Sequence, residues 1–459
     1  MTILNIPVFN NYTKSSLQWL VSILCERFGY GWHLEHDGHK FILSHTESDK
    51  IIVFDKLQKV FHQARSDFSC KQWQASSEGY FGPVEDVIPA PSEIDLPEPL
   101  IELNEKGATI HYDILGLTYW MLTRLEEVRR TDLDSHQRFP ATSSHAYRHG
   151  YLERPIVDEW LNVLGQVIQR VWPSIELKQH EFSIKVSHDV DIPSRYAFQN
   201  LKGLIRTIGG DVLLRKDFIS ALKAPWIKLN SQHSIHPADP ANTFDWLMKK
   251  SEENDLTSAF YFICGRTDAS KDAKYDPEMP QIRALMREIH QRGHEIGLHP
   301  SYNTCSNPKE IAKEADRLRQ ICKEEGIQQR EWGGRMHFLR WDQAITQKAW
   351  ADAGMTYDST LSYADRPGFR CGTCFEYPAF DIASNQQLSL RIRPLIAMDC
   401  TVIADRYLGL GSTDAAYAKF NELKYRCKQV GGVFTLLWHN SFFSCEKDFE
   451  IYISLINRN

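Results

Sequence analysis

Four short polar motifs, each at the end of an apolar run, constrain the fold more than any other feature of the chain. They are SHDVD at 187–191, GHEIGLHPSYNT at 293–304, GGRMHF at 333–338 and LLWHN at 436–440. Between them the sequence repeats strand, loop and helix. FSIKV runs into SHDVD, TSAFYFI is a second short apolar run, and PQIRALMREIHQRG is a helical pattern opened by Pro280 and closed by Gly293. Helical patterns follow at 341–353 and 413–430, and VFTLLW then reads as a strand buried on both faces. Such alternation predicts an α/β fold with a mainly parallel sheet covered by helices. Loops at the C-terminal ends of parallel strands converge on one face, so residues scattered over 250 positions can share a pocket. The pattern points to an enzyme.

Before residue 180 the rhythm is different. KFILSH and KIIVFD read as strands. Leu117, Met121, Leu125 and Val128 mark a helix over 116–130, and Pro155 opens another with Ile156, Trp160, Leu164 and Val167 on one face. The stretch between them, 136–155, reads as a long loop in which His145 and His149 are surface histidines. The predicted organisation is therefore a mixed α+β domain over 1–180, of unknown role, and a second domain over 181–459.

Charge and composition exclude some functions. A formal net charge of −6 leaves no basic excess to neutralise phosphates, so nucleic acid is not an expected partner. No uncharged apolar run reaches 18 residues, which excludes an ordinary transmembrane helix. The opening MTILNIPVFNNYTK lacks the basic start, long apolar stretch and cleavage site of a signal peptide. Ten cysteines without framework spacing suit reduced thiols, and Cys371 and Cys374 form a lone CxxC with no partner pair. A cytoplasmic location is the expectation.

The motifs carry the chemistry. At the exit of a strand, Asp189 and Asp191 lie on the same side while Val190 turns to the other. Two carboxylates so close repel each other unless a cation or a proton lies between them. His299 adds an imidazole, Arg335 a fixed cationic fork, and His439 a group whose ordinary pKa of about 6.5 suits proton transfer near neutral pH.

In order and spacing these motifs resemble those of the polysaccharide deacetylases of carbohydrate esterase family 4, the NodB-homology proteins. The resemblance covers roughly residues 183–459, and GHEIGLH is its most specific part. The first 180 residues resemble the uncharacterised domain that precedes such a catalytic domain in some bacterial surface-polysaccharide proteins. The resemblance implies a distorted (β/α) barrel of seven or so strands. It also implies a metal-dependent hydrolase that removes an N-acetyl or other acyl group from an amino sugar or glycan in surface-polysaccharide biosynthesis. Asp189 then becomes the general base, Arg335 the arginine that pairs with it, His439 the general acid, and Asp191 and His299 ligands of a divalent metal, zinc by preference.

The chain departs from the family pattern where the second metal histidine is expected, because position 303 is asparagine. An amide oxygen is a poor zinc ligand. The third ligand is left open between Asn303 and His337, which stands where the family has a proline. Ser301, Tyr302, Asp358, Asp365 and Arg370 are expected to shape the substrate pocket, with Trp341, Tyr363 and Phe369 as aromatic candidates for stacking on sugar. Two other readings stand beside this one: a metal-free amidohydrolase similar to the allantoinase-like members, and a non-catalytic glycan-binding or assembly protein. Residues 197–229 add a basic and apolar insertion, read either as amphipathic helices packed on the barrel or as a peripheral membrane contact.

Overall fold

The computed structural model describes residues 12–457. Most of the opening stretch read for a signal peptide lies outside them. In the first half, a five-stranded sheet has the spatial order Trp32–His36, Phe41–His45, Ser48–Phe54, Gly107–Ile110, Ile101–Asn104. All its pairings are antiparallel except Ser48–Phe54 with Gly107–Ile110. A two-stranded ribbon joins Cys70–Gln74 to Val87–Pro91. The helix expected over 116–130 runs as Ile114–Leu122 and then stops, because Arg124 takes a left-handed φ of 53° to send its guanidinium onto Glu126 and Glu127. The second expected helix is Ile156–Val171.

The second half carries a five-stranded sheet ordered Glu295–His299, Ser258–Ile263, Ser183–Val190, Val433–Leu437, Ala397–Met398, with every pairing parallel. Helices Phe244–Glu252, Pro280–Gln291, Pro308–Glu324 and Asp414–Gln429 fall between strands, as the alternation predicts. The strand Ser258–Ile263 is buried at all six positions, which explains its continuous apolar sequence. A three-stranded sheet sets Gln386–Ile392 between Tyr357–Asp358 and Tyr377–Asp381.

A few backbone hydrogen bonds outside the ladders link the two sheets at both margins. On one side Arg335 N–H donates to Leu298 O at 3.0 Å and Ser359 N–H to Gly334 O at 2.9 Å. On the other, Leu395 N–H donates to Leu361 O at 3.2 Å and Ile396 N–H to Thr435 O at 3.1 Å. Gly334 permits the first contact, since a Cβ there would lie 1.9 Å from the Leu298 carbonyl oxygen. This close approach presents Arg335 to the strand ends.

The two halves share one apolar core. The helix Lys14–Phe28 packs on the three-stranded sheet, with Trp19 Nε1–H donating to Pro378 O at 2.8 Å. No helix among the described residues is long and apolar enough to cross a membrane.

Candidate active site

The strand Ser183–Val190 delivers Asp189 and, just past its end, Asp191 to one end of the parallel sheet; the strand Glu295–His299, one strand removed, delivers His299, and the adjacent strand delivers His439 two residues past Leu437. Asp189, Asp191, His299, His337 and His439 line a single cavity of about 100 Å³.

Asp189 is buried, and its Oδ1 accepts from Arg335 Nη1 at 2.7 Å. Arg335 is itself fully buried and fixed by Ser359 O at 2.9 Å, Ser187 Oγ at 2.9 Å and Ser359 Oγ at 3.1 Å. A guanidinium held at four points orients the carboxylate and leaves Oδ2 directed at the cavity, 3.7 Å from His299 Nε2.

Beside it, three ligand-type atoms face one another. His299 Nε2 lies 3.4 Å from Asp191 Oδ1, and His337 Nε2 lies 3.8 Å from the same oxygen. Asp191, His299 and His337 each offer one donor atom, and the three atoms fall within 4.8 Å of one another. Asp191 Oδ1 is buried and has no hydrogen-bond partner. The far nitrogen of each imidazole is occupied: His299 Nδ1 sits 2.6 Å from Arg335 O, and His337 Nδ1 sits 3.1 Å from Asp272 Oδ1. Asp272 is pinned in turn by the Tyr302 N–H at 2.7 Å and the Asp268 N–H at 2.7 Å. A carbonyl and a carboxylate behind two imidazoles fix the tautomers that turn Nε2 lone pairs towards Asp191.

Charge within the site follows from these contacts. Burial opposes ionisation of Asp191, but His337, His299 and His439 outweigh it and hold the carboxyl well below the usual range. Burial likewise opposes a charge on His299, while Asp189 and Asp191 raise its pKa. A buried carboxylate oxygen with no donor, facing two oriented imidazoles, is a donor set that a divalent cation satisfies. Two nitrogens and one oxygen suit zinc or a similar borderline ion.

His439 closes the opposite side. Its Nε2 lies 3.7 Å from Asp191 Oδ2, and its Nδ1 lies 2.9 and 3.0 Å from the two oxygens of Asp399. Asp399 also accepts the His439 N–H at 2.6 Å and the Cys400 N–H at 2.5 Å. Burial disfavours the imidazolium, yet Asp399 prevails and raises the pKa to about 10. Asp399, Cys400 and His439 also bring ligand-type atoms together, but the Asp399 oxygens are already filled and burial pushes the Cys400 thiol far up.

Several residues singled out in the sequence lie elsewhere. Asn303 is exposed, with its amide donating to Thr267 O at 3.1 Å and accepting from Arg340 at 3.4 Å, and it is not among the three clustered donors. None of the five residues expected to shape the substrate pocket lines the cavity. Ser301 is buried on Glu314, at 2.5 Å through Oγ. Tyr302 is buried with its hydroxyl 2.8 Å from His136 Nδ1. Asp358 accepts the Thr360 N–H at 2.8 Å in full burial, Asp365 accepts the Ala141 N–H at 3.1 Å, and Arg370 is buried on Glu127 at 2.9 and 2.5 Å.

Trp341, Tyr363 and Phe369 belong to the core. Cys371 and Cys374 are buried free thiols, the latter 3.4 Å from Asp158. His145, expected at the surface, is fully buried against Phe68, 4.2 Å between ring centres.

Sequence reasoning missed Asp399, Asp272 and Arg138. Asp399 ends the apolar run LIAM, the same strand-exit signal that marked the other motifs. Asp272 lies in a loop with no pattern. Arg138 reaches the cavity rim from the first half, held by Asp134 at 2.7 Å and Phe338 O at 2.8 Å.

Residues 6–173 match the model of a family of unknown function, DUF7033. No curated protein matches the chain's sequence. Among solved structures, the chain is similar to a Mycobacterium smegmatis protein described as a "putative polysaccharide deacetylase". The TM-score is 0.39 with 17% identity, covering 61% of this chain and 84% of that one. It is also similar to Puue allantoinase, with a TM-score of 0.36 and 11% identity, covering 62% of this chain and 85% of that one. Both scores fall below 0.5, and the functional reading stands on the site itself.

Proposed function

We propose that this chain is a divalent-metal-dependent hydrolase that removes an acetyl or similar acyl group from an amino sugar during assembly of a bacterial surface polysaccharide. The reading takes residues 181–459 as a distorted (β/α) barrel carrying the site, with 1–180 as the domain before it. One observation carries it: a buried, partnerless Asp191 oxygen faces two tautomer-fixed imidazoles, between an arginine-held aspartate and an aspartate-held histidine. The resemblance of the four motifs to the NodB-homology deacetylases supports the substrate class.

Asp191, His299 and His337 would hold the ion, with His337 in the place that Asn303 does not fill. A bound divalent ion supplies Lewis-acid polarisation of the acyl carbonyl and acidifies a water. Asp189, held by Arg335 through Oδ1, takes the proton of the attacking water at Oδ2. The water oxygen bonds to the acyl carbon, and the carbon–nitrogen bond breaks. His439, held through Nδ1 by Asp399, gives its Nε2 proton to the departing amine. Arg335 and Asp399 act by positioning, since neither is directed at the reacting atoms.

Acetate release from N-acetylated amino sugars, free and nucleotide-linked, tests the proposal. Zinc-loaded protein should release acetate, and Asp189→Asn should lower the rate by about 100-fold or more. No turnover on any acylated amino sugar by zinc-loaded wild type would contradict it.

A further inference from the structure

The insertion after Asp191 folds as a helical hairpin, Leu201–Gly210 and Phe218–Asn230, joined by a π-helical segment, Asp211–Arg215, that ends at the left-handed Lys216. Its inner face is complete. Tyr196, Leu204, Ala224 and Ile227 form a small core of their own, apart from the main one. Buried Asp211 accepts from the Tyr196 hydroxyl at 2.7 Å and Arg215 Nε at 2.6 Å, and Lys228 Nζ donates to Ala197 O at 2.9 Å and Gln199 O at 2.7 Å.

The outer face is apolar and bare. Leu201, Ile205, Leu213, Leu214, Phe218, Ile219, Leu222, Trp226 and Leu229 are 53–85% exposed, nine of the twelve large apolar side chains this exposed among the described residues. On the second helix, Phe218, Ile219, Leu222, Trp226 and Leu229 fall within an arc of about 100° at 3.6 residues per turn. Ala221, Ala224 and Ile227 occupy the opposite side and make the inner contacts. Soluble proteins rarely expose an apolar patch of this extent without a partner.

Charge says which partner. Every exposed charged side chain of the hairpin is cationic: Lys202, Arg206, Lys216, Lys223 and Arg215, the last of them paired with Asp211. The two acidic residues are committed, Asp211 in burial and Asp217 as the cap of the second helix. This cationic rim belongs to a chain of net charge −6. Two copies meeting face to face would set rim against rim, an isologous contact between like charges. An anionic bilayer satisfies both features, because the apolar arc enters the interface while the lysines and arginines meet lipid headgroups.

We infer that the hairpin 201–230 is a docking face for an anionic membrane surface. Its stem is tied to the candidate site. Asn440, next to His439, donates through Nδ2 to Ile192 O at 3.0 Å and Ala241 O at 2.7 Å, so the loop leaving Asp191 and the loop carrying His439 are one unit with the hairpin base. The inference does not rest on the proposed reaction, and its test needs no turnover.

The full chain is sedimented with vesicles of phosphatidylcholine alone or mixed with phosphatidylglycerol. Two variants change only exposed side chains: Leu222→Ser with Trp226→Ser, and Lys202→Glu with Arg206→Glu and Lys223→Glu. Unchanged thermal unfolding shows that each remains folded. Wild type should pellet with the anionic vesicles, and each variant should bind about tenfold less or weaker still. Wild type left in the supernatant with anionic vesicles overturns the inference, as does wild-type binding by both variants. A dimer that Leu222→Ser with Trp226→Ser dissociates, without vesicle binding by wild type, overturns it in favour of a second copy.

Discussion

Replacing Asp399 with asparagine isolates the group that controls His439. Both Asp399 oxygens face His439 Nδ1, at 2.9 and 3.0 Å, and together with Asp191 and Asp189 they raise the imidazole from its ordinary 6.5 to about 10 against the opposition of burial. At 1.36 kcal/mol per pKa unit, that rise corresponds to about 5 kcal/mol of preference for the protonated form. Asp191 and Asp189 supply part of it. One adjacent opposite charge shifts a pKa by about 1–3 units, so removing the Asp399 charge alone should lower that of His439 by about two, worth about 3 kcal/mol. Because the folded-state pKa lies above the unfolded one, the stabilisation is fully present below pH 6.5 and lost as the pH rises through about 10. Asp399→Asn should then be about 3 kcal/mol less stable at pH 6, with the gap closing towards pH 10. The assay is an NMR titration of carbon-labelled histidine in chelator-treated protein, paired with urea unfolding across the same pH range. A pKa within half a unit of wild type would refute the account of how His439 keeps its proton.

Three further outcomes follow from the packing. Gly334→Ala should cost about 3 kcal/mol in urea unfolding, because its Cβ would meet a backbone carbonyl at 1.9 Å that has no room to move. Glu127→Gln should cost about 3–5 kcal/mol in the same assay, since Arg124 and Arg370 are both buried on that carboxylate. Burial lowers His145 to about 3, so its stabilisation is present above pH 6.5 and lost as pH falls towards 3. From pH 7.5 to 5, wild type should lose about 2 kcal/mol more than His145→Phe, and parallel pH curves for the two proteins would contradict this.

The parallel half of the fold was legible because its strands are buried on both faces and alternate with helices that carry clear stop signals. The margins were not. The Gly334 contact depends on the absence of a Cβ against a carbonyl thirty-six residues away in sequence, and no periodicity records that. Polar residues at strand exits were legible where the chemistry is local, as with Asp189, Asp191, His299 and His439. Ser301, Asp358 and Arg370 read as pocket residues because they lie in polar loops. Their partners are Glu314, Thr360 and Glu127, and long-range pairing of this kind leaves no trace in spacing. The insertion 197–229 announced its composition in the sequence, but only the structure separates its packed face from its bare one.

Zinc binding to chelator-treated protein, followed by calorimetry in wild type, His337→Ala and Asn303→Ala, tests the central claim most directly. Wild type and Asn303→Ala should each take one ion per chain, while His337→Ala should bind about 100-fold more weakly or lose the ion, because it lacks one of the three donors converging on Asp191 Oδ1. Wild-type affinity in His337→Ala, or no zinc bound by wild type, would contradict the site as described.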